Sequence, residues 1–299
     1  MPRPHILMAI LLMMFGCNAP EPRSLLGNSL ERQSLPDEVR MQRESALERA
    51  RTIHAVHPED EDAIIWLGRR TAYLGRYQEA VEIYSKGLVL LPESYRLLRH
   101  RGHRQITLRR LDEAMADLAK ADQLSLNQPD TVEQDGMPNA AGKPRSTTKG
   151  NILYHLGLTR YLKGRFCDAA GDFTRCLELS RNDDTCVAAS YWLYLSARRC
   201  GDERLASEAL SRATTDMDLL ENHAYLMLLL SFKGIEMEDL PESLLDAGVD
   251  DATLGYGKAM KFFFEGQQDQ YLSELEQIVQ DTNWAAFGHI AAEADLARD

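Results

Sequence analysis

The chain carries no GxSxG, no GxxxxGK[ST] loop, no GxGxxG and no HExxH. Each of these motifs places a nucleophile, a phosphate or a zinc ion. No catalysis is marked by a motif, and no cofactor is expected. Basic residues are the minority charge, 34 against 46 acidic, for a formal net charge of −12. Nucleic-acid binding needs a basic footprint, so no nucleic-acid partner is expected. The five cysteines include no CxxC and no close His–Cys spacing, so no metal site is expected. What remains is a composition 44% hydrophobic and 27% charged, ordinary for a globular chain.

An uncharged apolar run covers only Ile6 to Phe15, too short to span a bilayer as a helix. With Arg3 before it, the run fits the h-region of a secretory signal. Met14-Phe15-Gly16-Cys17 resembles a bacterial lipobox, with Phe15 departing from the usual small residue. The resemblance implies a signal peptide over residues 1–16, acylation (palmitate) at Cys17 and a lipid-anchored linker over 17–35. Several acyl chains on one cysteine anchor stably. Cleavage after Ala19 is the rival, and it would leave Pro20 at a position that signal peptidase I disfavours. Asn18 is not the Asp that retains enteric lipoproteins in the inner membrane. The expected location is therefore the outer membrane, facing the periplasm.

The mature part repeats. Gly68 and Gly102 are 34 residues apart, as are Ala80 and Ala114, Tyr84 and Leu118, and Gly87 and Ala121. A third copy carries Gly157, Gly164, Ala169, Phe173 and Cys176. Each copy has a glycine in its first helix and a small residue in its second. A turn glycine follows seven residues after the first in two copies; the second copy has Arg109 there. The period, small residues at helix crossings and a proline such as Pro92 after the second helix resemble the tetratricopeptide repeat (TPR). That resemblance implies an all-α fold, a right-handed α-α superhelix of stacked antiparallel helix pairs. It divides the chain into a half-repeat plus two repeats over 36–125 and two further repeats over 150–216. An irregular helical part with a capping helix covers 217–299. The fourth copy, near Val187, has an uncertain register because Tyr194 replaces a small residue.

Residues 126–149 interrupt the array with three prolines and no helical period. A loop of this length is either a lid or plug across the groove or a passive insertion. Four cysteines besides Cys17 allow three connectivities. Antiparallel packing of successive repeats lets Cys167 face Cys200, so those two are the disulfide candidates.

In the resembled repeat, the first helix of each pair lines a concave surface. Its inward positions here include Arg69 and Tyr73, then Arg96, Arg99 and His103, then Tyr154 and Tyr161, then Tyr191. A basic patch followed by an aromatic patch suits a carboxylate-bearing ligand, because arginine pairs carboxylates in bidentate geometry. The competing reading ties these arginines to neighbouring acids and puts the tyrosines in the core. The expected function is a non-catalytic envelope adaptor that binds a protein or peptide, acidic or carboxylate-bearing, on this surface. A small-molecule or glycan binder is the alternative. An open groove favours the first and a closed aromatic pocket the second.

Overall fold

The structure, a computed structural model, describes residues 22–134, 139–235 and 251–298. Cys17 and the signal segment lie outside the described residues. The described chain is all-helical apart from two isolated antiparallel bridges.

A single helix, α1 (Asp37–Val56), precedes four helix pairs. They are α2 (Glu61–Ala72) with α3 (Tyr77–Leu90), α4 (Tyr95–Thr107) with α5 (Leu111–Ser125), α6 (Thr148–Leu162) with α7 (Phe166–Leu179), and α8 (Asp183–Cys200) with α9 (Glu203–Ser211). Then come α10 (His223–Phe232), the pair α11 (Asp251–Phe264) and α12 (Gln268–Ile278), and the terminal α13 (Phe287–Leu296). Connections this short make partner helices antiparallel. Each helix packs on the next, and α2, α4, α6 and α8 also touch in sequence as an inner row. This is the solenoid that the repeat resemblance implied.

Local chemistry sets the boundaries. Asp60, Ser94, Thr147 and Asn182 cap the inner helices through side-chain oxygens that accept a backbone N–H of the first turn. Such caps contribute about 1 kcal/mol each. Gly75, with φ +72°, makes the turn from α2 to α3, a conformation that costs other residues about 1 kcal/mol or more. Within each pair the helices approach closely because the small residues leave room. A Cβ on Gly68 would collide with the fully buried Tyr84 ring, and Gly102–Leu118 and Gly157–Phe173 repeat the relationship. Ala80, Ala114 and Ala169 are completely buried at the matching crossings. Cys167, at the start of α7, and Cys200, at the end of α8, form a disulfide with Cα atoms 5.2 Å apart.

The first helix of the fourth pair, α8, begins at Asp183, ahead of Val187. Asn182 supplies the cap, and Asp184 is fully buried, accepting backbone N–H bonds from Leu220, Glu221 and Asn222.

Two features close the solenoid. First, α13 caps α11 and α12 and also folds back onto α6 of the inner row. Arg199 of α8 binds Asp295 of α13 at 2.7 Å, and Arg298 donates to the Leu162 carbonyl. Second, the segment 22–33 runs beside residues 282–293. Leu25 N–H donates to Glu293 at 3.0 Å, and Trp284 Nε1 donates to the Glu31 carbonyl at 2.6 Å.

Candidate binding site on the inner helix row

Three inner helices bring their polar side chains to one place. Arg69 comes from α2, Arg99 from α4 and Asn151 from α6. The inserted segment enters between them. Val132 opposes Thr147 in an antiparallel bridge. Glu133 N–H donates to the Ser146 carbonyl at 3.0 Å, and Thr148 N–H donates to the Thr131 carbonyl at 2.9 Å. This two-stranded turn aims the Glu133 carboxylate at the arginines. Its Oε1 lies 3.1 Å from Arg99 Nη2, 3.8 Å from His100 Nε2 and 3.9 Å from Arg69 Nη1. Its Oε2 accepts from Asn151 Nδ2 at 3.1 Å. Arg69 Nη1 also donates to the Gln134 carbonyl at 2.7 Å.

Cavities flank this carboxylate. The larger, about 400 Å³, is walled by Tyr73, Arg99, His103, Tyr154, Tyr225 and Phe287, with exposed Arg181 at its rim. The smaller, about 150 Å³, lies against Trp66, Arg96 and His100. Arg69 and Glu133 line both.

The electrostatics of the wall are uneven. Arg99 is only 7% exposed, and its Nε is buried without a hydrogen-bond partner. Burial lowers its pKa, opposed by the Glu133 charge. Two largely buried guanidiniums, Arg69 and Arg99, thus share one carboxylate. The histidines supply no charge at neutral pH. Burial, then Arg104, holds His103 well below its ordinary value, and burial, then Arg99, does the same to His100 and His155. The His103 and His155 rings meet at a tilt with centroids 4.2 Å apart, and Phe287 of α13 packs against both and against Tyr154. Cys176 also lines the larger cavity, and burial pushes its thiol up to about 12, so it stays protonated and unreactive.

The sequence-marked residues separate into three groups. Arg69, Tyr73, Arg99, His103 and Tyr154 converge on the larger cavity. Arg96 lines the smaller one, but its guanidinium is held by Glu61 at 2.6 Å and Asp62 at 2.5 Å. Tyr161 and Tyr191, 0% and 1% exposed, are core residues that the structure does not bring to either cavity. Tyr161 bonds Tyr256 at 2.7 Å, and Tyr191 stacks on Tyr225. They are buried because α10 packs on α8, while Tyr256 of α11 and Asp295 of α13 reach Tyr161 and Arg199. The basic patch also loses His103, which burial keeps neutral. Sequence reading did not find Glu133, Arg181, Tyr225 or Phe287. Glu133 sits in an aperiodic insertion, and Phe287 arrives from the chain's far end, so no repeat position marks either.

No protein-family model and no curated protein matches the chain. Among solved structures it is similar to YrrB, described as a TPR protein with an unusual peptide-binding site. The identity is 18% and the TM-score 0.43, over 80% of this chain and 97% of that one.

Proposed function

We propose that the protein is a non-catalytic adaptor of the bacterial envelope that takes an acid-bearing segment of a protein or peptide partner in the larger cavity. The observation that carries this reading is the meeting of Arg69 and Arg99 with Tyr73, Tyr154 and Phe287 in one wall. A guanidinium gives a carboxylate strong, oriented hydrogen bonds. Aromatic rings add contact area at low entropic cost. Because α13 and the insertion bound the cavity, it suits a short segment of the partner rather than a long helix. Attachment through a lipid on Cys17 at the outer membrane belongs to this proposal and rests on the Gly16-Cys17 signal pattern.

A second reading, a compact acidic small molecule or glycan, is favoured by one observation: Phe287, Tyr154 and His155 pack as an aromatic cluster in the cavity wall.

A thermal-shift series tests the proposal. Peptides bearing Asp, Glu or a free C-terminus are compared with their amidated or Gln counterparts at rising salt. A ligand that binds the folded state raises the melting temperature by mass action. Acid-specific stabilisation that fades with salt is expected. Equal shifts from acids and amides contradict the proposal, and shifts from acidic sugars alone favour the second reading.

A further inference from the structure

The carboxylate that the arginines attract is already present, supplied by the chain itself. Thr131-Val132-Glu133-Gln134 lies extended against α2, α4 and α6. It is held there by its side-chain acid on Arg99 and Asn151 and by its Gln134 carbonyl on Arg69. Beyond these, Thr131 Oγ1 meets Thr148 Oγ1 at 3.4 Å and Glu133 Oε1 lies 3.8 Å from His100 Nε2. Thr131, Val132 and Gln134 are exposed, Val132 by 55%, and two backbone hydrogen bonds tie the segment to residues 146–148. Segments with few buried contacts open at low cost. The segment also stands between the two cavities, and Arg69 and Glu133 belong to both. With it withdrawn, the two cavities would join into one groove bordered by Arg69, Arg96 and Arg99.

We infer that Glu133 is an internal stand-in for the partner's acid, and that an extended peptide carrying a glutamate or aspartate side chain binds by displacing residues 131–134 from Arg69, Arg99 and Asn151. This rests on the binding function proposed above and names the class of ligand: an extended acidic peptide segment. Two observations show that this position is built for an acid. The cluster holds two largely buried guanidiniums for one carboxylate, and the buried Arg99 Nε has no partner. An acid that replaces Glu133 keeps the charge partner of both arginines, and the unbonded Arg99 Nε offers it a further donor. The stand-in also defines the geometry of the occupant: an extended backbone with its carbonyl toward α2 and its acid toward α4 and α6.

The test uses a fluorescein-labelled, amidated Thr-Val-Glu-Gln peptide, its Thr-Val-Gln-Gln control, and the full chain as wild type and Glu133→Gln. The Glu133→Gln protein should bind the Glu peptide at least tenfold tighter than wild type does, and the Gln peptide should gain nothing. In wild type, saturating Glu peptide should speed hydrogen exchange at the Glu133 amide, which leaves the Ser146 carbonyl when the segment is displaced. If Glu133→Gln fails to fold, the exchange measurement on wild type decides alone. Equal affinities of both proteins overturn the inference, as does an equal gain for the Gln peptide. Unchanged exchange at the Glu133 amide with peptide bound overturns displacement while leaving the cavity as a binding site. A Glu peptide that binds neither protein also overturns it, and the thermal-shift series then judges the wider function separately.

Discussion

Arg109 and Glu293 are 184 residues apart and meet in a doubly hydrogen-bonded, buried ion pair: Nε to Oε2 at 3.0 Å and Nη2 to Oε1 at 2.6 Å. Arg109 occupies the turn position where other repeats have glycine, with φ +60°. A left-handed backbone costs such a residue about 1–2 kcal/mol. The side chain offsets this by also donating to the Thr107 and Trp284 carbonyls. The departure from the repeat pattern is therefore where the C-terminal helix locks onto the solenoid.

This pair predicts an acid-sensitive lock. Burial pushes Glu293 up, but hydrogen bonds from His289 and Arg109 and the Arg109 charge outweigh it and hold its pKa at about 2, against 4.5 ordinarily. A depressed carboxylate adds stability that is present above its unfolded pKa and lost as pH falls through the folded one. The contribution, about 3 kcal/mol, should disappear between about pH 5 and pH 2. Urea midpoints of wild type and Glu293→Gln should differ widely at pH 7 and converge toward pH 2. A gap independent of pH would contradict the lock.

Close helix approach is testable at Ala80, which is completely buried. Ala80→Leu should cost about 1–3 kcal/mol through overpacking, seen as a lower denaturation midpoint. An unchanged midpoint would mean that this crossing has slack.

For the cysteines, a non-reduced digest should yield a linked Cys167–Cys200 peptide, with Cys176 and Cys186 as free thiols. Cys167→Ser should lower stability by roughly 3–4 kcal/mol on the chain-entropy estimate for a loop of this size. Four free thiols in protein purified without reductant would exclude the bond.

Lipid attachment is expected to depend on Cys17 alone. Cys17→Ser should move the protein from the membrane to the soluble fraction, with fractionation and intact mass as the readout. An unacylated mature chain beginning at Pro20 would exclude the anchor.

The repeat was legible because it is written in local, periodic terms. Gly68, Ala80 and Tyr84 recur at one spacing since each solves the same packing problem. The inward positions on α2 and α4 followed from that register, and Arg69, Tyr73 and Arg99 do reach the cavity. Tyr161 and Tyr191 did not follow, because a solenoid rule assumes an uncovered inner face. Burial of that face depends on Tyr256 and Asp295, which bond Tyr161 and Arg199 from far along the chain. Periodicity carries no information about such contacts. Glu133 was hidden for the same reason: its partners are set by where an aperiodic loop lands.

The central claim is that the partner's acidic segment enters the cavity on the inner row. Site-specific photo-crosslinking tests it most directly, with a benzophenone amino acid replacing Arg181 at the cavity rim or Val89, 81% exposed at the end of α3. The account predicts a partner adduct at position 181 that maps to an Asp- or Glu-bearing segment and weakens as salt rises. Adducts at position 89 and none at 181 would contradict it.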